Sequence, residues 1–329
     1  MKVKFLIIRF SSIGDIVLTT PVIRCIKEQV EGAEIHYLTK DIFSGILHSN
    51  SYIDKVHILE KSFSDTINKL RKEQFNYIID LHKNIRSCRV RKALRILSFS
   101  YNKLNYRKYL SVTFKKKNVL PDIHIVDRYM ATTKVFDVKN DNKGLDYFIP
   151  EEDNISLSQL PENFKNGYVG FVIGAKHFTK KLPNNKIVEI CKKIDFPIIL
   201  LGGKEDEENG NNIALEVGEK VLSVCGKYNL NQSASLVKQA NAIITHDTGL
   251  MHIAAAFKKK IISVWGNTIP EFGMYPYLSD KNSQIFEINN LKCRPCSKIG
   301  YNKCPKNHFK CMNDIDENKI SELVNKIFE

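Results

Sequence analysis

Residues 4–15 read KFLIIRFSSIGD, and this stretch decides how the first half of the chain folds. The apolar run Phe5–Ile8 is continuous rather than alternating, which is typical of a strand buried on both faces of a parallel sheet. A polar loop containing Gly14 follows, and residues 16–30 then show helical spacing, although Pro21 falls beyond the first turn of that pattern. The stretch therefore predicts a strand, a loop at the sheet edge and a helix.

The same alternation continues along the chain. Further strands are predicted at 33–38, 56–59, 77–81, 168–173, 197–201, 221–224, 242–245 and 260–265, with helices at 65–72, 185–194, 233–239, 249–257 and 316–328. Strands separated by helices predict parallel sheets covered on both faces. Because 329 residues exceed what one core usually organises, we expect two doubly wound α/β domains, joined within 150–166. Their ligands should lie beyond the carboxyl ends of the strands, in the cleft between the sheets.

The composition is that of a globular protein, with 43% hydrophobic and 26% charged residues. No apolar run approaches the roughly 20 residues of a transmembrane helix. The apolar run at the N-terminus is short and is interrupted by Arg9, which argues against a signal peptide. We therefore expect a cytoplasmic protein.

Most of the net charge of +14 lies in one segment. Residues 83–120 contain twelve Lys and Arg and no Asp or Glu, interleaved with aromatic and aliphatic side chains. This pattern predicts a negatively charged partner. An anionic membrane surface fits it, as does single-stranded nucleic acid, and a solvated charged face is the plainer interpretation. Arg86, just after a predicted strand, is the best candidate for contact with an acidic acceptor.

The loop 11–15 (SSIGD) carries the first candidate for chemistry. Asp15 stands at a helix start, where Asp is a favoured N-cap, and it can also serve as a general base. Gly14 permits close approach of another backbone. The Gly-x-Gly-x-x-Gly pattern of dinucleotide sites is absent from this loop.

The second motif, residues 246–252 (HDTGLMH), again lies between a predicted strand and a helix. Free backbone N–H groups and a partial positive charge at a helix start suit a diphosphate. Thr248 adds a hydroxyl, and Gly249 lets phosphates approach the backbone. Asp247 is expected to cap the helix or to orient a neighbour, whereas both a structural and a functional role are open for His252.

Two further loops follow strands in the second half. The basic loop 174–183 (GAKHFTKKLP) is expected at the same sheet edge as Thr248, which favours a phosphate contact over a solvated charge run. The loop 202–206 (GGKED) takes the equivalent place after the next strand. An acidic residue there can hold the hydroxyl groups of a donor.

These motifs resemble those of glycosyltransferase family 9, the bacterial ADP-heptose:lipopolysaccharide heptosyltransferases. The resemblance rests on SIGD at 12–15, KLP at 181–183, DTGLMH at 247–252 and WGNT at 265–268, and it follows the whole chain in order. It implies an α/β protein of GT-B architecture, with two Rossmann-like doubly wound domains facing a cleft.

In detail, the resemblance implies an N-terminal acceptor-binding domain at 1–155 and a C-terminal nucleotide-sugar donor-binding domain at 156–313. A C-terminal helix at 314–329 would return to the N-terminal domain. Family members often carry Trp where Leu182 stands, a departure that concerns the donor's base or sugar rather than the chemistry.

The resemblance also implies an inverting transfer of heptose or a related sugar from a nucleotide diphosphate donor, such as ADP-heptose, to a lipopolysaccharide core or lipid A-type acceptor. No cofactor is required in the family for transfer. The general base maps to Asp15, and the phosphate-binding lysine to Lys181. The implied donor-binding residues are Lys180, Glu205, Asp206, Asp247, Thr248, Gly249, Leu250, Met251 and His252, and the acceptor-binding residues are Ser12, Gly14 and Arg86. With residues 83–120 docked on an anionic membrane, the protein would be peripheral on the inner face of the inner membrane, with no nucleic acid as partner.

Four of the eight cysteines cluster near the C-terminus, at Cys293, Cys296, Cys304 and Cys311. Such spacing in a cytosolic protein suggests a structural metal site, with zinc as the expected ion and His308 as an alternative ligand. A disulfide or free thiols are the other interpretations.

Two other functions remain open from the sequence. One is a nucleotide-sugar enzyme with different chemistry on the same fold, such as an epimerase. The other is a basic nucleic-acid-binding protein, argued from charge alone.

Overall fold

The computed structural model describes residues 2–328. Met1, the first residue of the predicted N-terminal domain, and Glu329, the last residue of the predicted C-terminal helix, lie outside the described residues. The chain divides into two compact units. Unit 1 comprises residues 2–104 and Ile123–Phe148, and unit 2 comprises Asn105–Asp122 and residues 149–328. The basic segment 83–120 is therefore divided between the units.

Unit 1 contains a five-stranded sheet in the order β3-β2-β1-β4-β5, and every pairing is parallel. Phe5–Ile8 are fully buried because helices cover both faces of the sheet. The strands are β1 Val3–Ile8, β2 Ala33–Thr39, β3 Lys55–Ile58, β4 Tyr77–Asp80 and β5 Ser98–Ser100. The helices are α1 Ile13–Val17, α2 Thr20–Gln29, α3 Phe63–Lys72, α4 Ile85–Leu94 and α6 Ile125–Met130, with α5 Asn105–Phe114 in unit 2.

Unit 2 contains a six-stranded parallel sheet in the order β11-β10-β9-β6-β7-β8. The strands are β6 Val169–Val172, β7 Ile198–Leu201, β8 Val221–Ser223, β9 Ala242–His246, β10 Lys260–Trp265 and β11 Gln284–Glu287. The helices are α5, α7 Glu162–Lys165, α8 Asn184–Lys193, α9 Glu207–Val217, α10 Leu230–Gln239, α11 Gly249–Ala256, α12 Lys310–Asn313 and α13 Glu317–Phe328. The prediction of two doubly wound α/β sheets is confirmed.

Each sheet reverses its strand order at one place. In unit 1 the reversal lies between β1 and β4, and in unit 2 between β6 and β9. Ligands of open parallel sheets bind beyond the carboxyl ends of the strands at such switch points. The loops after these four strands are therefore the places to look for a site.

The predicted helix at 16–30 is two helices, α1 and α2, separated around Leu18 and Thr19. Pro21 falls in the first turn of α2, where its missing N–H costs no helical hydrogen bond. The short strands β5 and β11 were not predicted, since three or four residues of mixed polarity carry no clear alternation.

The C-terminal helix corrects one expectation. We expected it to return to the N-terminal domain, but α13 packs in unit 2, where Ile320 and Val324 join the core. Lys186 on α8 forms a 2.6 Å ion pair with Glu317, and Asn325 Nδ2 donates to the Lys193 carbonyl at 3.2 Å. The physical reason is a matched partner, because α8 offers both an apolar stripe and lysines for the first turn of α13.

Candidate active site

The loop after β1 places Asp15 at the switch point of unit 1. Ser12 and Asp15 form a capping box at the start of α1, in which the Ser12 N–H donates to Asp15 Oδ2 at 3.1 Å and the Ser12 hydroxyl donates to it at 2.8 Å. Arg9 Nη2 pairs with Asp15 Oδ1 at 2.6 Å. The carboxylate keeps 21% exposure, so an incoming hydroxyl can still reach it.

Arg9 is itself held from three sides. Its Nε donates to the Ser11 carbonyl at 2.7 Å, and its Nη1 donates to the Leu81 carbonyl at 2.6 Å and to the Tyr129 hydroxyl at 2.9 Å. Arg9 was not among the site residues predicted from the sequence. Its position directly before the SSIGD motif was the signal available for it.

Burial raises the pKa of Asp15, but the Arg9 guanidinium and the Ser12 hydrogen bonds outweigh it, so the pKa lies below its ordinary value. Asp15 is therefore ionised at neutral pH. It can accept a proton, but its paired state makes it a weaker base than a carboxylate in an apolar pocket.

A cavity of about 520 Å³ opens beside this loop, entirely within unit 1. It is lined by Phe10, Ser11, Lys40, His82, Asn84, Ile85, Arg86 and Arg89. None of these eight residues is acidic, and three are cationic. The structure therefore places Arg86 in a positively charged cavity beside the Ser11–Asp15 loop, as an anionic acceptor would require.

Asp80 organises the loop that carries Arg86, and sequence reasoning missed it. This fully buried carboxylate accepts from the backbone N–H groups of His82 and Lys83 at 3.0 and 2.7 Å, and from the Ser87 hydroxyl at 2.8 Å. Arg91 pairs with it at 3.0 Å. The apolar strand Tyr77–Leu81 concealed its role, because a strand-ending Asp gives no motif of its own.

In unit 2, the basic loop after β6 and the loop after β9 meet at the switch point. Lys180 Nζ pairs with Asp247 Oδ2 at 2.5 Å, and Thr268 donates to the same oxygen at 3.0 Å. Asp247 thus orients two neighbours. Lys180 is held beside the start of α11, where a phosphate would approach.

Lys181 takes a different partner in the same loop. It pairs with Asp206 Oδ1 at 2.5 Å, while Asp206 Oδ2 accepts from the Gly203 N–H at 3.0 Å. Asp206 is 3% exposed, whereas Glu205 is exposed. Of the two predicted donor-hydroxyl contacts, Glu205 is thus the accessible one, and Asp206 anchors Lys181.

Thr248 is the N-cap of α11. Its buried Oγ1 has no hydrogen-bond partner among residues 2–328, so it can accept or donate to a ligand. Gly249 and Leu250 are half-buried, while Met251 and His252 lie in the interior. The donor-binding roles of all five stay predictions, and the interior placement favours support over direct contact for the last two.

His246 was quoted in the motif but given no role. It is buried, and its Nε2 accepts the Leu182 N–H at 3.0 Å, which ties the basic loop to the end of β9. Burial and the neighbouring Lys181 lower the pKa of His246 to about 3, so the ring is neutral. With Nε2 accepting, its proton resides on Nδ1.

Gly266 brings the WGNT motif against this basic loop. A Cβ atom at Gly266 would lie 2.8 Å from the Thr179 carbonyl oxygen, closer than real Cβ atoms approach backbone. Buried Arg294 supports the same segment, donating through Nη2 to the Thr268 carbonyl at 2.9 Å and to Glu287 at 2.8 Å. The WGNT motif therefore packs directly against the basic loop 174–183.

The four clustered cysteines lie in unit 2 as free thiols, with Cys304 and Cys311 buried. Cys293 Sγ lies 3.8 Å from His308 Nε2, and Cys296 Sγ donates to the Cys293 carbonyl at 3.1 Å. Burial raises the pKa of Cys296 to about 11 and that of Cys311 to about 12. The thiols are neighbours, but among residues 2–328 they do not form a group whose ligand atoms lie within 4.8 Å of one another. The zinc site stays a prediction.

The helix α5 carries the aromatic part of the basic segment. Ser111 is its buried residue, while Tyr106, Tyr109 and Phe114 are 72%, 56% and 62% exposed. The helix is anchored in unit 2 beyond its C-terminus, where Lys115 Nζ donates to the Pro295 carbonyl at 2.8 Å. Within the described part of the chain, no helix combines the length and apolar character that crossing a bilayer demands.

Known proteins resemble this chain in sequence and in fold. The sequence profile of glycosyltransferase family 9 (heptosyltransferase) matches residues 64–305, well over half of the chain. Lipopolysaccharide heptosyltransferase 1 of Campylobacter coli is 27% identical, and the match covers 99% of each chain.

Two solved structures share the fold. E. coli ADP-heptose lps heptosyltransferase II superposes with a TM-score of 0.73 at 20% identity, covering 99% of this chain and 98% of that one. E. coli heptosyltransferase WaaC with ADP gives 0.69 at 18% identity, covering 98% and 99%. The chain therefore belongs to glycosyltransferase family 9, the heptosyltransferase family, and is a glycosyltransferase with the GT-B fold.

Proposed function

We propose that this chain transfers a heptose in the synthesis of the lipopolysaccharide core, from ADP-heptose to an acidic lipid A-type acceptor, with inversion at the anomeric carbon. Family membership supports heptosyl transfer, and the names of the relatives supply ADP-heptose and lipopolysaccharide. Membership also sets aside the epimerase-like and nucleic-acid-binding alternatives as the main activity. Transfer without a metal remains part of the proposal.

The proposal rests mainly on one observation: charged side chains of the kind that the reaction needs lie in the loops at the switch point of each sheet. Unit 1 presents an ionised carboxylate, Asp15, beside a cationic cavity. Unit 2 presents two lysines and, at the start of a helix, a Thr248 hydroxyl that has no hydrogen-bond partner among residues 2–328. These are the features required for acceptor activation and for diphosphate binding, respectively.

In the proposed reaction, Asp15 Oδ2 accepts the proton of an acceptor hydroxyl, which takes the place of the Ser12 hydroxyl on that oxygen. The acceptor oxygen bonds to the anomeric carbon as the bond to the diphosphate breaks. Negative charge then grows on the leaving diphosphate, and Lys181, Lys180 and the N–H groups at Gly249 stabilise it. A preorganised donor of this kind is worth on the order of 3 kcal/mol.

For the lysines to serve the diphosphate, they must exchange partners. Lys180 and Lys181 now pair with Asp247 and Asp206. A diphosphate brings more negative charge than one carboxylate and offers several acceptor oxygens, so it competes well for both ammonium groups. The two aspartates keep the lysines extended towards the site before the donor arrives.

Asp15→Asn tests the proposal. The amide keeps the size of the side chain but cannot take a proton, so transfer should fall by roughly 10²–10⁴-fold while ADP binding, measured by calorimetry, is unchanged. Asp65→Asn is the matched control, because Asp65 is an exposed aspartate of unit 1 on α3. Near-normal turnover of the Asp15 variant, with its circular dichroism preserved, would remove Asp15 from the reaction.

We further propose that α5 and the basic residues around it dock the enzyme on an anionic membrane. Three exposed aromatic side chains and Arg107 on one helix, followed by Lys115 and Lys116, match the mixture of apolar and cationic groups that binds such surfaces. The lipid acceptor would then be taken directly from the membrane to which the enzyme is bound.

A further inference from the structure

A cluster of histidines and carboxylates lies on one face of the unit 1 sheet, away from the loops of the proposed reaction. His36 is on β2 and His57 on the neighbouring β3. The register pairs Leu38 with His57, so His36, two residues earlier, points to the same face. Glu73, the C-cap of α3, covers the two rings.

The three side chains converge on one point. His36 Nδ1 lies 2.8 Å from His57 Nε2 and 3.9 Å from Glu73 Oε2, and the three atoms all lie within 4.8 Å of one another. His36 is 1% exposed, His57 9%, and the Glu73 side chain 17%. Two imidazoles and a carboxylate in a nearly closed pocket are the donor set of many zinc sites.

A second carboxylate fixes the orientation of His36. Glu34 Oε1 lies 2.9 Å from His36 Nε2, and Lys2 and Lys4 pair with Glu34 at 3.2 and 3.4 Å. The ionised carboxylate accepts a hydrogen bond from the Nε2–H group, and in the tautomer with this bond the lone pair of His36 is on Nδ1, facing His57 and Glu73. Metal-binding histidines are oriented in the same way, by a carboxylate on the other ring nitrogen.

The protonation state of His57 also suits metal binding. Burial lowers the pKa of His57 to about 4, so its ring is neutral at physiological pH. Histidine binds metals in the neutral form. A metal would displace the hydrogen bond between the rings, with the proton of His57 moving to its Nδ1.

We propose that His36 Nδ1, His57 Nε2 and Glu73 Oε2 bind a divalent transition metal ion of the zinc class, with solvent as the fourth ligand. Tetrahedral bonds of about 2.0–2.1 Å set the two nitrogens about 3.3 Å apart, so the rings need to separate by about 0.5 Å. The ion joins β2, β3 and the end of α3, which makes it a structural clamp. The proposal is independent of the proposed transfer.

One cation competes for the site. Lys55 Nζ pairs with Glu73 Oε1 at 2.5 Å, but the Lys55 side chain is 54% exposed and can turn to solvent. A bound dication would repel it. Removing the Lys55 charge should therefore tighten metal binding at this site. If the cluster holds only a hydrogen bond between His36 and His57, the same change should not affect metal binding.

The test is a titration of the chelator-treated full chain with Co²⁺, followed by absorption spectroscopy. Cobalt at the His36 site gives ligand-field bands without the near-ultraviolet sulfur charge-transfer band, which separates it from cobalt on the clustered cysteines. We expect His57→Gln and Glu73→Gln each to bind one equivalent of cobalt fewer than the wild type. His48→Gln is the matched control, an exposed histidine of unit 1 outside the cluster.

Lys55→Gln keeps all three ligands and should bind cobalt severalfold more tightly than the wild type. Zinc should raise the melting temperature of the wild type and of His48→Gln by more than that of His57→Gln, with circular dichroism confirming that each variant is folded. Equal cobalt binding by the wild type and both ligand variants would overturn the proposal. So would absorption that comes only from sulfur ligation, or a Lys55 variant that binds no more tightly.

Discussion

Arg9 shows how one residue decides what Asp15 can do. Its guanidinium neutralises the carboxylate and holds it at the end of β1, at the cost of basicity. Arg9 is in turn fixed by the Ser11 and Leu81 carbonyls and by Tyr129, so the pair is preorganised. Asp15 is thus ionised over the whole physiological range and becomes protonated only in acid.

The pH dependence of transfer follows from this pair. The folded-state pKa of Asp15 is lowered, so the carboxylate is ionised above the ordinary aspartate pKa and becomes protonated as the pH falls through the lower folded value. Its contribution to stability is likewise fully present above the ordinary pKa and is lost over the same fall in pH. Arg9→Gln should raise the Asp15 pKa, shifting the acid limb of the kcat/KM profile upward by about one to three units. Tyr129→Phe, which removes one support of Arg9 but no charge, is the control. An unmoved acid limb in Arg9→Gln would show that another group sets it.

At the scale of elements, α13 shows that an amphipathic pattern predicts a helix but not its partner. The stripe of Ile320, Leu323, Val324 and Ile327 was visible in the sequence, yet the surface it covers belongs to α8. Lys186 and Lys193 on α8 supply charge partners for the first turn of α13. The helix α13 therefore stabilises unit 2, which carries the basic loop 174–183.

Ile320→Ala should destabilise unit 2 by about 2–5 kcal/mol, since a fully buried side chain is truncated. Trp265 is the one tryptophan of the chain and lies buried in unit 2, so its fluorescence follows the unfolding of that unit. We expect the denaturant midpoint to be lower in Ile320→Ala than in the wild type. It should be unchanged in Leu215→Ala, a control at which the side chain is 86% exposed. A fluorescence midpoint that does not move would place α13 outside the cooperative core of unit 2.

At the scale of the whole molecule, the basic segment 83–120 is divided between the two units. The cavity with Lys40, Arg86 and Arg89 belongs to unit 1, whereas the exposed aromatic helix belongs to unit 2. From the sequence alone, residues 83–120 were expected to form one surface of the acceptor domain. The cationic pocket and the exposed aromatic helix are therefore separate features, one in each unit.

A flotation assay with the full chain tests the membrane surface. The wild type should float with vesicles rich in phosphatidylglycerol at low salt and less so at high salt, because the attraction is partly screened charge. Replacing Tyr106, Tyr109 and Phe114 by Ser should abolish flotation. Val135→Ser and Leu215→Ser, at 62% and 86% exposure outside the segment, are the controls. Wild-type protein that ignores anionic vesicles, or binds neutral ones equally, would contradict the proposal.

The sequence alone determined the features that depend on neighbours along the chain. Continuous apolar runs such as Phe5–Ile8 predicted buried parallel strands, and the loops SSIGD and HDTGLMH predicted chemistry at strand ends, because the alternation of strand and helix is a local pattern. The family followed from the same loops. Asp15 and Lys181 were identified for that reason, although their catalytic roles stay predictions.

Only the tertiary structure decided which groups share a partner. Asp206 binds Lys181, Asp247 binds Lys180, Arg9 binds Asp15, and Asp80 holds the loop of Arg86. The first two contacts join residues far apart in the sequence, and the other two depend on how the loop backbone turns. The His36, His57 and Glu73 cluster arises in the same way, because sheet register and the end of a helix bring together three residues that no sequence spacing connects. Contacts of this kind are set by packing and strand order, which a linear pattern does not encode.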